Sequence, residues 1–254
     1  DNGYMLYITP TSWMSPKFAN KEIFYDNQLL YLNVNECAKH FPGVGSTFSY
    51  YLIKNSKEIG PTKVVCKHNK KIYQSECILK DLDYLPSLLN NHTISIIKKM
   101  KKEWEGEKVS FGTKCELHNT TKKAWLSNTK SEEHKYLTRH TTKYEPGRWS
   151  KVKHTLHDKN KILMNLSGNL NPIYDNGSMG FTQAQLYLLT DKKEYVKTLN
   201  SKLFKFVFKI SKWSGFQIEK IFHDLPFVFA NNDEELYKIF NLTEEEIKII
   251  EENS

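Results

Sequence analysis

The stretch Tyr4-Met5-Leu6-Tyr7-Ile8-Thr9-Pro10 is a short apolar run that ends at a proline, and it decides the fold class. Such a run is typical of a strand buried on both faces, because helices cover both sides of a parallel sheet. Two further apolar runs occupy residues 29–34 and 46–53, and apolar residues at near-helical spacing lie between the first two runs. This order of strand, helix, strand and strand predicts an open α/β sheet.

Patterns of the same kind continue after residue 57. Residues 63–73 predict a hairpin of two strands, and residues 82–102 predict a helix that has Pro86 near its start. Residues 162–166 and 185–189 predict two strands that flank a turn region.

Two helices are predicted near the end of the chain. The helical spacing of apolar residues over 192–212 predicts a helix whose apolar face is core. Thr243-Glu244-Glu245-Glu246 has the spacing of a capping box, which predicts a surface helix after it.

The net charge of +8 on the 254 residues is concentrated in the middle of the chain. Residues 57–230 contain 31 basic and 17 acidic residues, a net charge of +14, whereas residues 1–56 are neutral and residues 231–254 carry −6. A basic block of this kind favours a polyanionic partner, most often nucleic acid. The alternative is that the excess of lysine only keeps the protein soluble.

Basic and aromatic side chains alternate over residues 106–160, the most polar part of the chain. Lysines can neutralise phosphates, whereas arginines and aromatic rings can contact bases or stack on them. Arg139 and Arg148 are the only arginines, and we expect them to make bidentate contacts to guanine. The alternative is a solvated loop that a few aromatic rings anchor to the core. The predicted DNA-binding residues are Lys122, Lys123, Arg139, Lys143, Arg148, Trp149, Lys151 and Lys153.

Motifs for catalysis or metal binding are scarce. The sequence shows no glycine-rich nucleotide loop and no serine-nucleophile motif. Cys115, His118, His134 and His140 do not have the spacing of a common zinc site, so no metal is expected. The cysteines form no Cys-x-x-Cys pair and no apolar run is long enough to span a bilayer, so we expect reduced thiols and a cytoplasmic, intracellular protein.

Several segments of the chain together resemble one enzyme family. Residues 3–14 (GYMLYITPTSWM), 32–36 (LNVNE) and 41–48 (FPGVGSTF) are similar, in order and spacing, to catalytic-domain strands of the DNA adenine-N6 methyltransferases of the Taq and Eco57-like restriction-modification group. In that family these strands follow an Asn-Pro-Pro-Tyr motif. Residues 169–177 (NLNPIYDNG), 199–206 (LNSKLFKF) and Leu225-Pro226 are similar to the C-terminal target-recognition domain of the same group.

The resemblance implies an α/β fold class and a division of the chain into three parts. Residues 1–56 would be the C-terminal half of a Rossmann-like methyltransferase sheet. Residues 57–230 would be a basic α+β target-recognition domain, and residues 231–254 an acidic C-terminal helix.

The resemblance also implies a chemistry. Members of this family flip an adenine out of the DNA duplex, stack it on an aromatic ring and transfer a methyl group to it from S-adenosylmethionine. One stacking ring of the family lies at the start of a Phe-Pro turn, a position that Phe41 matches here. The alternative for Phe41 is an ordinary core phenylalanine.

The chain departs from the family in one respect. The glycine-rich S-adenosylmethionine loop, the acidic ribose-binding position and the Asn-Pro-Pro-Tyr motif precede the matched region in the family and have no counterpart here. Asn171-Pro172-Ile173-Tyr174 resembles that motif but has Ile in third position and lies in a turn region. We therefore expect a C-terminal portion that binds duplex DNA, holds no cofactor alone and is inactive without a chain that carries the N-terminal catalytic half.

Two alternatives stay open. The chain could be the specificity portion of a fused type II restriction endonuclease-methyltransferase, which would share all these motifs. It could also be a methyltransferase-derived protein-interaction module that no longer contacts DNA.

Overall fold

The computed structural model describes residues 3–15, 24, 26–58, 60–79, 82–213 and 219–254. Contacts divide the chain into two units. Unit 1 contains residues 1–105, 202–221 and 233–254, and unit 2 contains residues 106–201 and 222–232.

Unit 1 is built on a five-stranded mixed sheet in the order β1-β3-β2-β4-β5. The strands are β1 (Tyr4–Pro10), β2 (Gln28–Val34), β3 (Phe48–Lys54), β4 (Thr62–His68) and β5 (Lys71–Cys77). β3 lies between β1 and β2 and is antiparallel to both, so β1 and β2 run in the same direction. β4 is parallel to β2, and β5 is antiparallel to β4. A mixed α/β class is therefore confirmed, whereas a Rossmann-like half-sheet stays a prediction.

The predicted hairpin is confirmed as β4 and β5. Asn69 and Lys70 connect the two strands, and both have a positive φ, 47° and 65°. Two residues with positive φ form the type I′ turn, whose twist matches the twist of the flanking strands. The local sequence therefore determines this hairpin.

β1 is formed as predicted, but its predicted burial on both faces is wrong. Leu6 is 69% exposed and Tyr7, which points to the opposite face, is 54% exposed. β1 is the edge strand of the sheet, and six of its seven residues are exposed. The predicted helix between β1 and β2 falls mostly on residues 16–23 and 25, which lie outside the described residues.

Five α-helices are found among the described residues. They are α1 (Asn91–Lys101), α2 (Tyr195–Leu199), α3 (Lys202–Ile210), α4 (Asp233–Ile239) and α5 (Glu244–Asn253). Short 3-10 helices occupy Thr11–Met14, Glu36–His40, Lys123–Trp125, Thr142–Tyr144 and Glu219–Phe222. None of the helices in these described ranges is long and apolar enough to cross a membrane.

The helix predicted over 82–102 begins only at Asn91. Asn90 caps it, because its side chain accepts a hydrogen bond from the Thr93 amide at 3.0 Å while the Thr93 hydroxyl accepts one from the Asn90 amide at 3.1 Å. Leu85 and Leu88, in the irregular segment before the cap, are buried nonetheless. Their apolar spacing reflects core contacts rather than a helix.

The two helices predicted near the chain end differ in outcome. The segment 192–212 forms α2 and α3 instead of one helix, separated at Asn200 and Ser201, although its apolar face is core as predicted. The capping box before α5 is confirmed, because Thr243 and Glu246 make both of its hydrogen bonds. The segment 231–254 contains two helices, α4 and α5, rather than one.

Unit 2 consists of short strands in three small sheets, in the orders β11-β10-β13, β12-β8-β9-β7 and β14-β6. The strands are β6 (Lys108–Val109), β7 (Leu126–Ser127), β8 (Tyr136–Arg139), β9 (Arg148–Ser150), β10 (Asn160–Asn165), β11 (Ile173–Asn176), β12 (Gly180–Phe181), β13 (Gln185–Leu189) and β14 (Leu225–Pro226). The two strands predicted over 162–166 and 185–189 are confirmed as the antiparallel pair β10 and β13. The boundary predicted after residue 56 differs from the limits of the units, because β4, β5 and α1 continue unit 1 to residue 105.

Candidate nucleic-acid interface

Four lysines of unit 2 lie over aromatic rings. The ammonium nitrogens are 4.2–6.0 Å from the ring centroids, within the range of cation–π attraction. We call these pairs, which share a type of contact and not one surface, the lysine–aromatic cluster: Lys122 with Trp125, Lys130 with Trp149, Lys135 with Tyr136, and Lys143 with Tyr144. The strand register pairs Tyr136 with Ser150, so the Tyr136 side chain points to the face opposite Trp149. Lys130, Lys135 and Lys143 are exposed, so their charges are available to a ligand.

Trp149 lies on the more exposed face of the four-stranded sheet. The strand register places Ser127 and Leu137 directly beside it, and all three side chains are half-buried. The neighbouring residues Arg148 and Ser150 point to the other face and are buried, as the alternation of side chains along a strand requires. On this face the ammonium group of Lys130 lies over the Trp149 ring, with its nitrogen 5.1 Å from the ring centroid.

Arg139 is buried in unit 2. Its side chain is 4% exposed, and its guanidinium donates to the carbonyls of Leu163 at 3.1 Å and Asn171 at 2.6 Å. Burial lowers the pKa of Arg139 to about 10, so it stays charged at neutral pH. The predicted guanine contact conflicts with this arrangement, because the donors already bind the protein backbone.

Arg148 is also buried. It is 9% exposed and donates to the side-chain oxygen of Asn119 and to the carbonyl of Leu126, the latter at 3.2 Å. Its guanidinium carbon lies 5.5 Å from the centroid of the Tyr144 ring. The geometry gives both arginines a structural role, and lysines are the basic residues that face solvent in this region.

The remaining predicted lysines fall into two groups. Lys123 and Lys143 are exposed and have no ion pair within the described part of the chain. Lys151 lies 3.4 Å from a carboxylate oxygen of Glu133, and Lys153 lies 2.5 Å from one of Asp158. These two charges are partly compensated by the neighbouring acids. Their DNA contacts stay predictions, as do those of Lys122 and Trp149.

Lys130 is a candidate that sequence reasoning did not include. It lies in the loop between β7 and β8, and only the pairing of β7 with β9 brings that loop back to Trp149. Sequence distance alone gives no sign of this contact, because nineteen positions separate Lys130 from Trp149.

Phe41 lies in unit 1, in the loop between β2 and β3. It is half-buried, and its ring stacks on that of Phe48, with centroids 4.3 Å apart and planes inclined by 19°. One face of the Phe41 ring is therefore covered by the protein. Its predicted role as a base-stacking residue stays a prediction.

Asn171-Pro172-Ile173-Tyr174 has a structural role in unit 2. Asn171 adopts the left-handed region with a φ of 41°, and its carbonyl accepts the hydrogen bond from Arg139. Ile173 and Tyr174 then enter β11.

Two of the side chains weighed as metal ligands, Cys115 and His140, are bonded within unit 2. Burial raises the pKa of the Cys115 thiol to about 11, and its sulfur lies 3.2 Å from the carbonyl of Phe181. The Nδ1 atom of His140 lies 2.6 Å from the Thr182 hydroxyl. Over the ranges that the structure describes, no three potential metal-binding side chains come together.

No family model matches the chain, and no curated protein matches it. The fold matches that of part of a restriction-modification enzyme. That enzyme is MmeI, of Type IIL, whose structure was solved in complex with DNA; the match has a TM-score of 0.51 over 92% of this chain. The sequences are 9% identical, so the likeness concerns the fold alone, and the chain spans 40% of the length of MmeI.

Proposed function

We propose that this chain recognises DNA as the C-terminal portion of a site-specific DNA adenine-N6 methyltransferase of the Taq and Eco57-like restriction-modification group. The lysine–aromatic cluster carries the proposal, because it combines exposed positive charge with flat rings. The motif resemblance and the similarity of fold to MmeI, a restriction-modification enzyme solved with DNA, support it.

The lysine–aromatic cluster supplies the two interactions that a nucleic-acid surface needs. Exposed lysines neutralise phosphates and release counterions, which gives affinity without sequence preference. Trp149 offers a ring on which a base can stack, and base stacking on an aromatic ring contributes about 1–3 kcal/mol. The buried arginines hold β8 and β9 to the rest of unit 2, and so position Trp149 on β9.

The complete enzyme would use S-adenosylmethionine as methyl donor and would flip the target adenine. The residues that follow β1 and β2 do not fit this cofactor. Glu36, the acidic residue after β2, is already bonded to Lys39 at 2.8 Å and to Asn33 at 2.9 Å, and no glycine-rich turn follows β1. We therefore assign no cofactor contact to this chain. Phe41 is assigned to the flipped-base pocket by resemblance alone.

The exposed β1 supports a polypeptide partner beside DNA. Leu6 and Ile8 are 69% and 56% exposed, and an edge strand of this kind is a template for pairing with another strand. A polypeptide with the catalytic half of the enzyme would cover β1. The specificity portion of a fused endonuclease-methyltransferase would present the same features.

Fluorescence anisotropy with random-sequence duplex DNA across a salt series tests the proposal. Each phosphate neutralised adds about 0.9 to the slope of log affinity against log salt. The double variant Lys130→Gln and Lys143→Gln should therefore lose about 1.8 from the slope. The control double variant Lys159→Gln and Lys197→Gln removes the same charge from exposed positions of unit 2 outside the cluster.

The control variant should keep the slope of the parent protein. If both double variants weaken binding equally, the lysines act only through net charge and the cluster is not the interface. If the parent protein fails to bind duplex DNA at low salt, the proposal that this chain recognises DNA by itself is wrong. Either the catalytic half is then needed for DNA binding or the partner is a protein.

A further inference from the structure

Unit 1 contains a cavity of about 620 Å³ that has no role in the interface described above. It lies at the edge of the sheet where β1 and β2 end. Thr11 and Ser12 directly follow β1, Asn35 directly follows β2, and Thr47 directly precedes β3, which runs back between them. In open α/β sheets, ligands bind outside the carboxyl ends of the parallel strands, where the connections leave a crevice.

The opposite wall comes from the end of α3. Lys209 lies in the last turn of α3, and Lys212 and Trp213 follow the end of the helix; all three line the cavity. The Trp213 indole donates to the carbonyl of Leu85 at 2.8 Å, and the Ser87 amide donates to the carbonyl of Ile210 at 2.6 Å. These two bonds fix the end of α3 against the segment that contributes Ser87 to the cavity.

The cavity is positively charged and rich in hydrogen-bond donors. Among the described residues, its lining contains two lysines and no carboxylate. The Lys209 ammonium donates to the carbonyl of Asn253 at 2.7 Å, whereas the Lys212 ammonium has no hydrogen bond or ion pair among the residues that the structure describes. Thr11 and Thr47 pair their hydroxyls with each other. By contrast, the hydroxyls of Ser12, Ser46 and Ser87 make no hydrogen bond to any residue that the structure describes.

We propose that this cavity binds a phosphate group of a nucleic-acid strand. An ammonium group and several hydroxyls around one space match the non-bridging oxygens of a phosphate, and charge-assisted hydrogen bonds are the strong ones. The volume lies within the range of small-molecule pockets, so it accommodates a nucleotide unit as well as its phosphate. Lys212 is the principal phosphate contact. The assignment of the phosphate to a nucleic-acid strand rests on the proposed DNA binding. Phosphate binding by the cavity does not.

The variant Lys212→Gln tests the inference, with Lys205→Gln as matched control. Lys205 is exposed on α3 and does not line the cavity, so its variant changes the net charge equally. Thermal unfolding of both variants checks that they are folded. The first assay is the anisotropy salt series on duplex DNA. The second is the broadening of the ³¹P signal of inorganic phosphate on addition of the full chain.

In the DNA assay Lys212→Gln should lower the salt slope by about 0.9, the contribution of one phosphate, while Lys205→Gln leaves it unchanged. In the phosphate assay Lys212→Gln should remove the broadening that the parent and the control variant cause. Ser46→Asp, which places a negative charge in the same cavity, should repeat both effects.

The two assays separate the sources of the phosphate. Loss in both supports a DNA phosphate in the cavity. Loss of phosphate broadening without a change in DNA binding supports the pocket and assigns it to a free phosphate compound. The phosphate assay also tests the cavity if the parent protein binds no DNA. Equal behaviour of Lys212→Gln and Lys205→Gln in both assays overturns the inference.

Discussion

Removing the carboxylate of Asp175 should destabilise unit 2 strongly. Asp175 on β11 and Lys161 on β10 form an ion pair in which both side chains are fully buried. The same carboxylate accepts hydrogen bonds from the Ser178 amide at 2.9 Å and from the Ser178 hydroxyl at 2.6 Å. Asp175→Ala therefore leaves a buried ammonium group without its counter-ion, and breaking such a pair costs about 3–5 kcal/mol. We expect a loss in the free energy of unfolding of this size.

This loss is measured within unit 2 by urea unfolding, with hydrogen exchange of the β10 and β11 amides as the probe. Asp158→Ala is the matched control, because Asp158 forms an ion pair with Lys153 at the surface, and it should leave the midpoint nearly unchanged. The double variant Lys161→Met with Asp175→Leu should recover much of the stability, since it removes both charges together. An unchanged urea midpoint for Asp175→Ala would refute the assignment of a buried pair.

Two further predictions concern stability. Burial raises the pKa of the Glu246 carboxyl, but the hydrogen bonds from Lys99 at 2.8 Å, from Ser95 and from the Thr243 amide, together with the charge of Lys99, outweigh it, and the net pKa is lowered. Unit 1 should therefore be most stable above pH 4.5 and lose stability as pH falls through the lower folded pKa. Glu246→Gln should cost about 1–3 kcal/mol at pH 7 and flatten this acid dependence in urea titrations, whereas the exposed Glu244→Gln should not. Gly177 has a φ of 91°, and an added Cβ would lie 2.9 Å from the carbonyl carbon of Asp158, so Gly177→Ala should lower the melting temperature.

The elements that sequence predicted correctly are those whose signals are local. The apolar runs at β2 and β3 predict strands from their own composition. Asn69 and Lys70 decide the turn between β4 and β5, and Thr243 decides the start of α5. In each case the residues that make the structure are within a few positions of one another.

The features that sequence did not predict depend on distant contacts. The apolar run around Leu6 predicts a strand, but the burial of that strand depends on which other elements pack over it. Arg139 was expected to contact guanine, yet its guanidinium donates to backbone carbonyls of β10 and of the turn before β11. Lys130 reaches Trp149 only through strand pairing. Side-chain direction is a property of the fold, so composition located the basic region without identifying its exposed members.

The lysine–aromatic cluster and the Lys212 cavity belong to different units, and their effects on DNA binding can therefore be compared. If one duplex contacts both, the losses in salt slope from the two sets of variants should add, because each phosphate contact releases its own counterions. Affinity losses should add as well, because the two sets of lysines would contact different phosphates of that duplex. If instead the units bind separate duplexes, the Lys212 variant should leave the affinity of the cluster unchanged and alter only the stoichiometry. Additive slopes at one duplex per chain would thus show that both surfaces act on a single DNA.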